Sequence, residues 1–507
     1  MNRTKTAITV ILLVAGLVTT TFPLFVQTSN AENDSDWTLV HNGRGVKAYP
    51  DLREYVWEKA AAMAPNGPYD KIGLRRLVKT GITPKGVILL CPGTNGNAEQ
   101  LMSNPPDDTW TKYEENSQPL YWANRGYDVF GIDYRTHFVP ISLSLSQLFF
   151  MANWGYDQWT SDVKEAVEKT KEVSGAKRIY LAGISFGGNV VMNHAAKYWQ
   201  QDLKGIILLD AGPGTSNPNP TNTYNLTNAL AQMNAKGTWG NEFGAPFTGS
   251  IFIMKYSLEN PGGPAVIPGT NDPLYPPVNP VTKKPWANIT EWGQNYFRSS
   301  TSNTNFTGGY GDYWVMTHYF ASNDRYWPAR LGLERNAWWG WADCPYVAYD
   351  YDDHYAGINV PLLGFTSQNY GVKSWVKVSR GIANPDVTGT FLPYYGHLDV
   401  FLGVHCAADV SEPAYQWMLN RKMLVGEGRI DVEDIRHQGD AIVFVNTTTI
   451  NALVDDKQPA WKITEHIVRN NMEVYDGEGE LGRIKINLNN GCIVANGPRV
   501  HFQGSLE

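Results

Sequence analysis

Residues 180–191 read "YLAGISFGGNVV", which sets one serine, Ser185, between Gly183 and Gly187. An apolar run precedes it and a helix-like run follows. A serine in that place suits nucleophilic attack. A sharp strand-to-helix turn lifts the hydroxyl clear of a sheet and sets it at a helix N-terminus, and glycines are needed because neighbouring side chains would clash. A Gly-Ser-Gly turn is also a common structural feature, so the chemistry has to be sought in its partners. A serine hydroxyl needs a base to take its proton, an acid to orient that base, and donors for the developing oxyanion.

The base is the clearest partner. "LPYYGHLDVFLG" (residues 392–403) places His397 after the last predicted strand and before a helical segment. That late position suits the chain order nucleophile, acid, histidine. Asp399, two residues on, is expected to cap the following helix. Donors are expected after an earlier strand, in "LLCPGTNGN" (89–97). Gly93 and Gly96 let the backbone turn sharply, so that the Thr94 amide could join the Phe186 amide in holding an oxyanion. A plain β-turn is the structural alternative, because Pro-Gly and Asn-Gly are strong turn dipeptides.

The acid is less direct. Its commonest place is the turn after "VPLLGFTS", where the residues are Gln368, Asn369 and Tyr370, with no carboxylate. A neutral Asn could hold the imidazole tautomer but could not stabilise an imidazolium by charge. Asp210 ends the strand "GIILLD" directly after the helix that follows Ser185, so it points from the same sheet edge. Asp386 starts its strand and lies at the wrong end of the sheet. Asp210 is the favoured acid, with Asn369 or a carboxylate from the stretch 211–357 as alternatives.

These residues need a scaffold, and the chain supplies a regular one. From about residue 70, short apolar strands alternate with amphipathic helices: "GVILLCPG", "YEENSQPLYWANRG", "YDVFGIDY", "WTSDVKEAVEKTKEVSG", "AKRIYLAGIS", "FGGNVVMNHAAKYWQQ" and "KGIILLDAG". This alternation predicts a mostly parallel sheet with helices on both faces. Residues 211–357 break the rhythm and are rich in Asn, Pro, Gly, Thr and aromatics. The pattern resumes in "INVPLLGFTS" and the helix "SEPAYQWMLNRKM". The expected organisation is a leader over 1–31, a sheet-and-helix core over 32–210 and 358–426, and a cap inserted at 211–357. A small β-rich domain follows over 427–507. The insertion is too long for a structureless loop.

Bulk properties exclude other classes. A net charge of −7 leaves no basic footprint for nucleic acid. Arg3 and Lys5, the apolar "AITVILLVAGLV" and the small-x-small "SNA" before Glu32 form an export signal, with an uncleaved anchor as the alternative. Nothing later offers about 18 uninterrupted apolar residues. The expected location is secreted, periplasmic or cell-surface. Cys91, Cys344, Cys406 and Cys492 allow three pairings, of which a Cys344–Cys406 bridge is conceivable, while Cys91 is expected to be a packed thiol. "YDYDDHY" brings Asp350, Asp352, Asp353 and His354 together, short of the oxygen count a calcium loop needs. Sequons occur at Asn225, Asn288, Asn305 and Asn446. The insertion holds Trp239, Trp286, Trp292, Trp314, Trp327, Trp338, Trp339 and Trp341, which could line a pocket or form the cap's own core.

Together, "CPGTNGN", "VFGIDYR", "GISFGG" and "GHLDVFLG" resemble the α/β-hydrolase superfamily over roughly residues 70–210 and 358–425. "MANWGYDQWTSDVKEAV" adds a likeness to its acid-lipase branch. The resemblance implies an eight-stranded sheet, Ser185 as nucleophile, His397 as base, and an oxyanion hole from Thr94 and Phe186. Haloalkane dehalogenases in this superfamily sometimes take the acid from the strand after the nucleophile helix, which matches Asp210. They use an Asp nucleophile, so Ser185 speaks against dehalogenation. The expected function is an exported serine hydrolase acting on small or polymeric carboxylic esters with a bulky apolar or aromatic part. That chemistry requires no metal and no organic cofactor. An amidase or acyltransferase with the same triad, or a non-catalytic binding protein of the same fold, are the competing readings.

Overall fold

The computed structural model describes residues 36–506, apart from 64–66, 103–112, 141, 214–253, 265–286, 292–309, 325, 332–333, 335–348, 350, 368–371, 433–434, 447–448, 454–459, 470–471, 480–481, 490–491 and 498–499. The leader, most of the tryptophans of the insertion, Asn225, Asn305, Cys344, Asp350, Gln368, Asn369 and Tyr370 therefore lie outside the described residues.

Nine strands form the central sheet: β1 (Thr38–Val46), β2 (Tyr49–Ala60), β3 (Lys71–Lys79), β4 (Val87–Cys91), β5 (Asp128–Asp133), β6 (Ile179–Ile184), β7 (Leu203–Leu209), β8 (Leu362–Ser367) and β9 (Val387–Leu392). They lie in the order β1-β2-β3-β5-β4-β6-β7-β8-β9. Strands β2 to β9 make the expected eight, and β1 adds a ninth by hairpin pairing at the edge. Every pair from β5 through β9 is parallel, and β3 runs antiparallel to β5. Strands β4, β5 and β6 are buried along their whole length. Their two-residue period divides the apolar side chains between two cores: Ile88 and Leu90 enter one, Leu89 and Cys91 the other. Both faces are therefore apolar, which explains the unbroken hydrophobic runs of the sequence.

The helices that matter for the site are α1 (Ala98–Met102), α2 (Gln118–Asn124), α3 (Tyr156–Ser174) and α4 (Gly187–Asp202). Helix α3 ends at Gly175 in the left-handed conformation, as its sequence predicts. Strands β7 and β8 are direct neighbours, pairing Ile206 with Leu362, although the insertion separates them in the chain. Within the insertion, the helix Tyr313–Ala321 is capped by Asp312, whose carboxylate accepts the Val315 amide at 2.9 Å. Tyr319 of that helix packs edge-on against Phe401 at 5.6 Å between centroids. Trp327 is buried, whereas Trp314 is exposed, so the described tryptophans of the insertion do not share one role.

The C-terminal segment is a closed eight-stranded antiparallel barrel. Its strands are β10 (Lys422–Val432), β11 (Ile435–Val445), β12 (Thr449–Leu453), β13 (Ala460–Arg469), β14 (Met472–Gly479), β15 (Gly482–Asn489), β16 (Cys492–Gly497) and β17 (Val500–Leu506). It begins at Lys422, five residues before the composition change at 427. Closure comes from β10 pairing with β17, and it removes the open edges a meander would leave. In β15, Ile484 and Ile486 are buried while Arg483 and Lys485 are exposed, the alternation a filled small barrel requires.

Three smaller expectations resolve here. Cys406 carries a free buried thiol whose Sγ donates to the Glu115 carbonyl at 3.2 Å, so the Cys344–Cys406 bridge is not formed. Cys91 is a packed free thiol, and burial raises its pKa to about 12. Asn446, the first residue of its sequon, is buried, and its Oδ1 accepts the Thr449 amide at 2.8 Å. Among the described residues no helix is long and apolar enough to cross a membrane.

Candidate active site

The turn from β6 into α4 is set by close approach. A Cβ on Gly187 would lie 2.0 Å from the Cys91 carbonyl oxygen, and one on Gly93 would lie 3.0 Å from the Ser185 Cβ. Only glycine lets the two loops meet. Ser185 itself sits at φ 52, in the left-handed region, so its side chain leaves the sheet at the C-terminal ends of the strands. Four of the five described non-glycine residues with positive φ lie at this edge: Asn95, Ser185, Asp210 and Tyr394. Each costs about 1–2 kcal/mol, and such strain is concentrated where a site must be held in one geometry. Gly187→Ala is expected to destabilise the fold by about 3 kcal/mol through overpacking. A lowered urea midpoint in circular dichroism is the check.

Ser185, His397 and Asp210 meet in one line. The Ser185 Oγ lies 2.8 Å from His397 Nε2, and His397 Nδ1 lies 2.7 Å from Asp210 Oδ2. His397 and Asp210 are both buried. The network assigns the tautomer: Nδ1–H donates to the carboxylate, and Nε2 accepts the serine proton. Asp210 is held by Ser367, whose amide donates to Oδ1 at 2.7 Å and whose hydroxyl donates to Oδ2 at 2.7 Å. Ser367 was not legible as a site residue, since it is one more residue of an apolar strand end. The Asp210 amide in turn donates to the Phe365 carbonyl at 2.8 Å. Asp210, just past the end of β7, thus leans on the neighbouring strand β8.

Two other carboxylates fall elsewhere. Asp386 forms a two-pronged ion pair with Arg421, at 2.7 and 2.9 Å, away from the histidine. Asp399 is not the helix cap expected of it. It is the first residue of the helix Asp399–Leu402, and its Oδ2 accepts the Gly396 amide at 2.9 Å. It therefore fixes the turn that presents His397.

Thr94 and Phe186 flank the serine on the two loops. Among the described residues, no backbone acceptor is found for either amide, in contrast to Ser185, whose amide donates to the Leu209 carbonyl. Phe186 immediately precedes α4, whose N-terminal amides add positive potential there.

A network the sequence did not point to holds the Thr94 loop. The Asp324 amide donates to the Asn95 carbonyl at 2.8 Å, and Asn95 Nδ2 donates back to the Asp324 carbonyl at 2.8 Å. The Asp324 carboxylate accepts Asn97 Nδ2 at 2.8 Å and Thr136 Oγ1 at 2.7 Å. One residue of the insertion thereby clamps the loop by three hydrogen bonds and ties it by a fourth to Thr136, on the turn after β5. His137 lies beside it, its Nδ1 3.4 Å from Asp324. Burial opposes a charge on His137, but Asp133, and then Asp324, outweigh it and raise its pKa to about 9. The sign follows from linkage. A raised histidine pKa stabilises the fold fully below the ordinary value of 6.5 and loses that contribution as pH rises through about 9. The gap in urea midpoint between wild type and His137→Gln is therefore expected to shrink between pH 6.5 and pH 9.

Asp352, Asp353 and His354 lie on a short 3-10 turn, and His354 stacks on Tyr349 at 4.7 Å. Among the described residues no group of three His, Cys, Asp or Glu side chains is placed to hold a metal.

Comparison with known proteins bears on the fold. Residues 109–237 match the family described as serine aminopeptidase, S33. A "putative lipase" from Sulfolobus solfataricus is 30% identical, with 76% of this chain and 99% of that chain covered and a TM-score of 0.57. Carboxylesterase CesB of Bacillus subtilis is 12% identical, covering 69% of this chain and 87% of its own, with a TM-score of 0.35. Esterase E22 is 14% identical, covering 72% and 99%, with a TM-score of 0.41. No curated protein matches the sequence. With the strand order, the serine turn and a likeness that runs the length of the Sulfolobus protein, the chain belongs to the α/β-hydrolase superfamily.

Proposed function

We propose that the protein is an exported serine hydrolase that cleaves carboxylic esters through Ser185, His397 and Asp210. The reading rests on one observation, the unbroken line of hydrogen bonds from Asp210 through His397 to the Ser185 hydroxyl. In the first step His397 Nε2 takes the Ser185 proton as Oγ bonds to the ester carbonyl carbon. The carbonyl oxygen becomes an oxyanion and is received by the Thr94 and Phe186 amides. Asp210 stabilises the imidazolium by its charge. As the tetrahedral species collapses, the C–O bond to the alcohol breaks and His397 returns the proton to the leaving oxygen. An acyl-serine remains, and water attacks it by the same route with the same histidine as base.

The residues packed next to the serine are aromatic. Phe186 stacks on Tyr156 at 5.5 Å and meets Trp327 of the insertion edge-on at 5.1 Å. Aromatic surroundings of this kind suit a bulky apolar or aromatic acyl or alcohol group. The leader over residues 1–31 supports export. The serine aminopeptidase description of the family matched over residues 109–237 favours a second reading, an amide substrate at the same serine.

Labelling the mature protein with a fluorophosphonate probe tests the chemistry, and a panel of aryl esters and aminoacyl anilides tests the bond. One phosphonylated serine peptide containing Ser185, with esters turned over, is the expected result. No labelling of folded protein would remove the reading, and turnover confined to anilides would replace it by the second.

A further inference from the structure

A cleft lies at the edge of the sheet opposite Ser185, where the core meets the barrel. It encloses about 540 Å³ and draws on residues just ahead of β4 and β5, the start of β7, the end of the helix Glu412–Leu419, and barrel strands β10, β13 and β14. Its lining includes Lys85, Lys204, Arg421 and Lys422, and no described lining residue is acidic. In a chain of net charge −7, three lysines gathered around one cleft, beside an Arg421 already paired with Asp386, are a local concentration of cationic groups. Arg421 is already fixed by Asp386, which holds its guanidinium in place. Lys85 donates to the neutral Tyr415 hydroxyl at 2.6 Å, so its charge is not cancelled by that contact. Lys422 lies over the Tyr475 ring at 5.8 Å, and His466 stacks on that ring at 4.3 Å and 6°. The cleft thus brings the side chains of Lys85, Lys204 and Lys422 together beside a stacked aromatic pair.

We infer that this cleft binds a multivalent oxyanion of the phosphate-ester class, with the ligand's organic body beside His466 and Tyr475. Lysines receive phosphate as mobile point charges with three donors each, and the volume is in the range of sites for small organic ligands. The site is separate from the hydrolase chemistry. Lys204 is the second residue of β7 and Asp210 follows its last, so the two ends are about 20 Å apart at 3.3 Å per residue. The inference therefore stands or falls without the proposed triad.

Isothermal titration of the mature chain at fixed ionic strength tests it, with pyrophosphate, phenyl phosphate and sulfate as probes and glucose as the neutral control. One saturable site for the phosphates is expected, with phenyl phosphate tighter than its charge alone gives. Lys85→Gln with Lys204→Gln is expected to weaken pyrophosphate at least ten-fold, while thermal unfolding and the reaction at Ser185 stay as in wild type. Wild-type protein alone gives a second reading: pyrophosphate should slow acetylation of Lys85, Lys204 and Lys422, read by mass spectrometry, and leave the exposed Lys177 unchanged. Absence of saturable phosphate binding, equal binding by the double variant, or protection that includes Lys177 would overturn the inference. Equal affinity for phenyl phosphate and pyrophosphate at matched charge would remove the role given to the aromatic pair.

Discussion

Ser185→Ala is expected to lower kcat for an activated aryl ester by about 10⁶-fold and to abolish fluorophosphonate labelling. The reason is chemical. Alanine has no oxygen to form the acyl bond, so the route is lost outright and only the oxyanion donors and binding remain, worth about 10³–10⁴-fold over water. The fold should be indifferent. The Ser185 amide keeps its bond to Leu209, and the left-handed φ of 52 is as accessible to alanine as to serine. An unchanged urea midpoint with lost turnover is the combined result to seek. Because the three groups act as a unit, His397→Ala should cost about as much, and the double variant little more than either single one. Additive losses would mean that the short contacts among these residues are structural.

The second large effect concerns the acid. Asp210→Asn is expected to lower kcat by about 10⁴-fold at neutral pH with little change in KM. Asn is isosteric, so the Ser367 amide can still donate to Oδ1. What changes is the other end. An amide NH₂ facing His397 Nδ1 favours the tautomer that leaves Nε2 protonated, and a protonated Nε2 cannot take the Ser185 proton. The imidazolium also loses its counter-charge. This experiment separates Asp210 from Asn369, the alternative acid position. If Asn369 oriented the histidine, Asp210→Asn would be near neutral in kcat, and Asn369→Ala would carry the loss. Ser367→Ala serves as the graded control. It removes one hydroxyl donor from Asp210 and should cost kcat far less than the Asn substitution.

Legibility in the sequence followed the range of the interaction. The strand-and-helix alternation was legible because side-chain period is a local property, and β4 to β8 fall within the segments it marks. The serine turn was legible because a close approach leaves glycine as the only residue that fits, and a run of glycines about one serine is visible in six letters. His397 was legible through its place after the last strand. Asp399 was misread because its helix is a single turn, and the free amide that needed a partner was that of Gly396 behind it. The β-rich tail was legible as composition, whereas its closure was not, because the pairing of β10 with β17 joins strands from opposite ends of the segment.

The sequence by itself determined the nucleophile candidate, the base candidate and the sheet that carries them. All three depend on residues within a few positions of one another, where sterics and periodicity act directly. Tertiary structure decided which carboxylate meets the histidine. Asp210 and His397 are 187 positions apart, and they meet because β7 and β8 are sheet neighbours despite the insertion between them. It also decided that Asp324, 227 positions from Asn97, holds the Thr94 loop, and that lysines from the core and the barrel surround one cleft. A hydrogen bond or a shared charge depends on distance in space, and no local pattern in the chain encodes which distant residues the packing of its layers will bring within 3 Å.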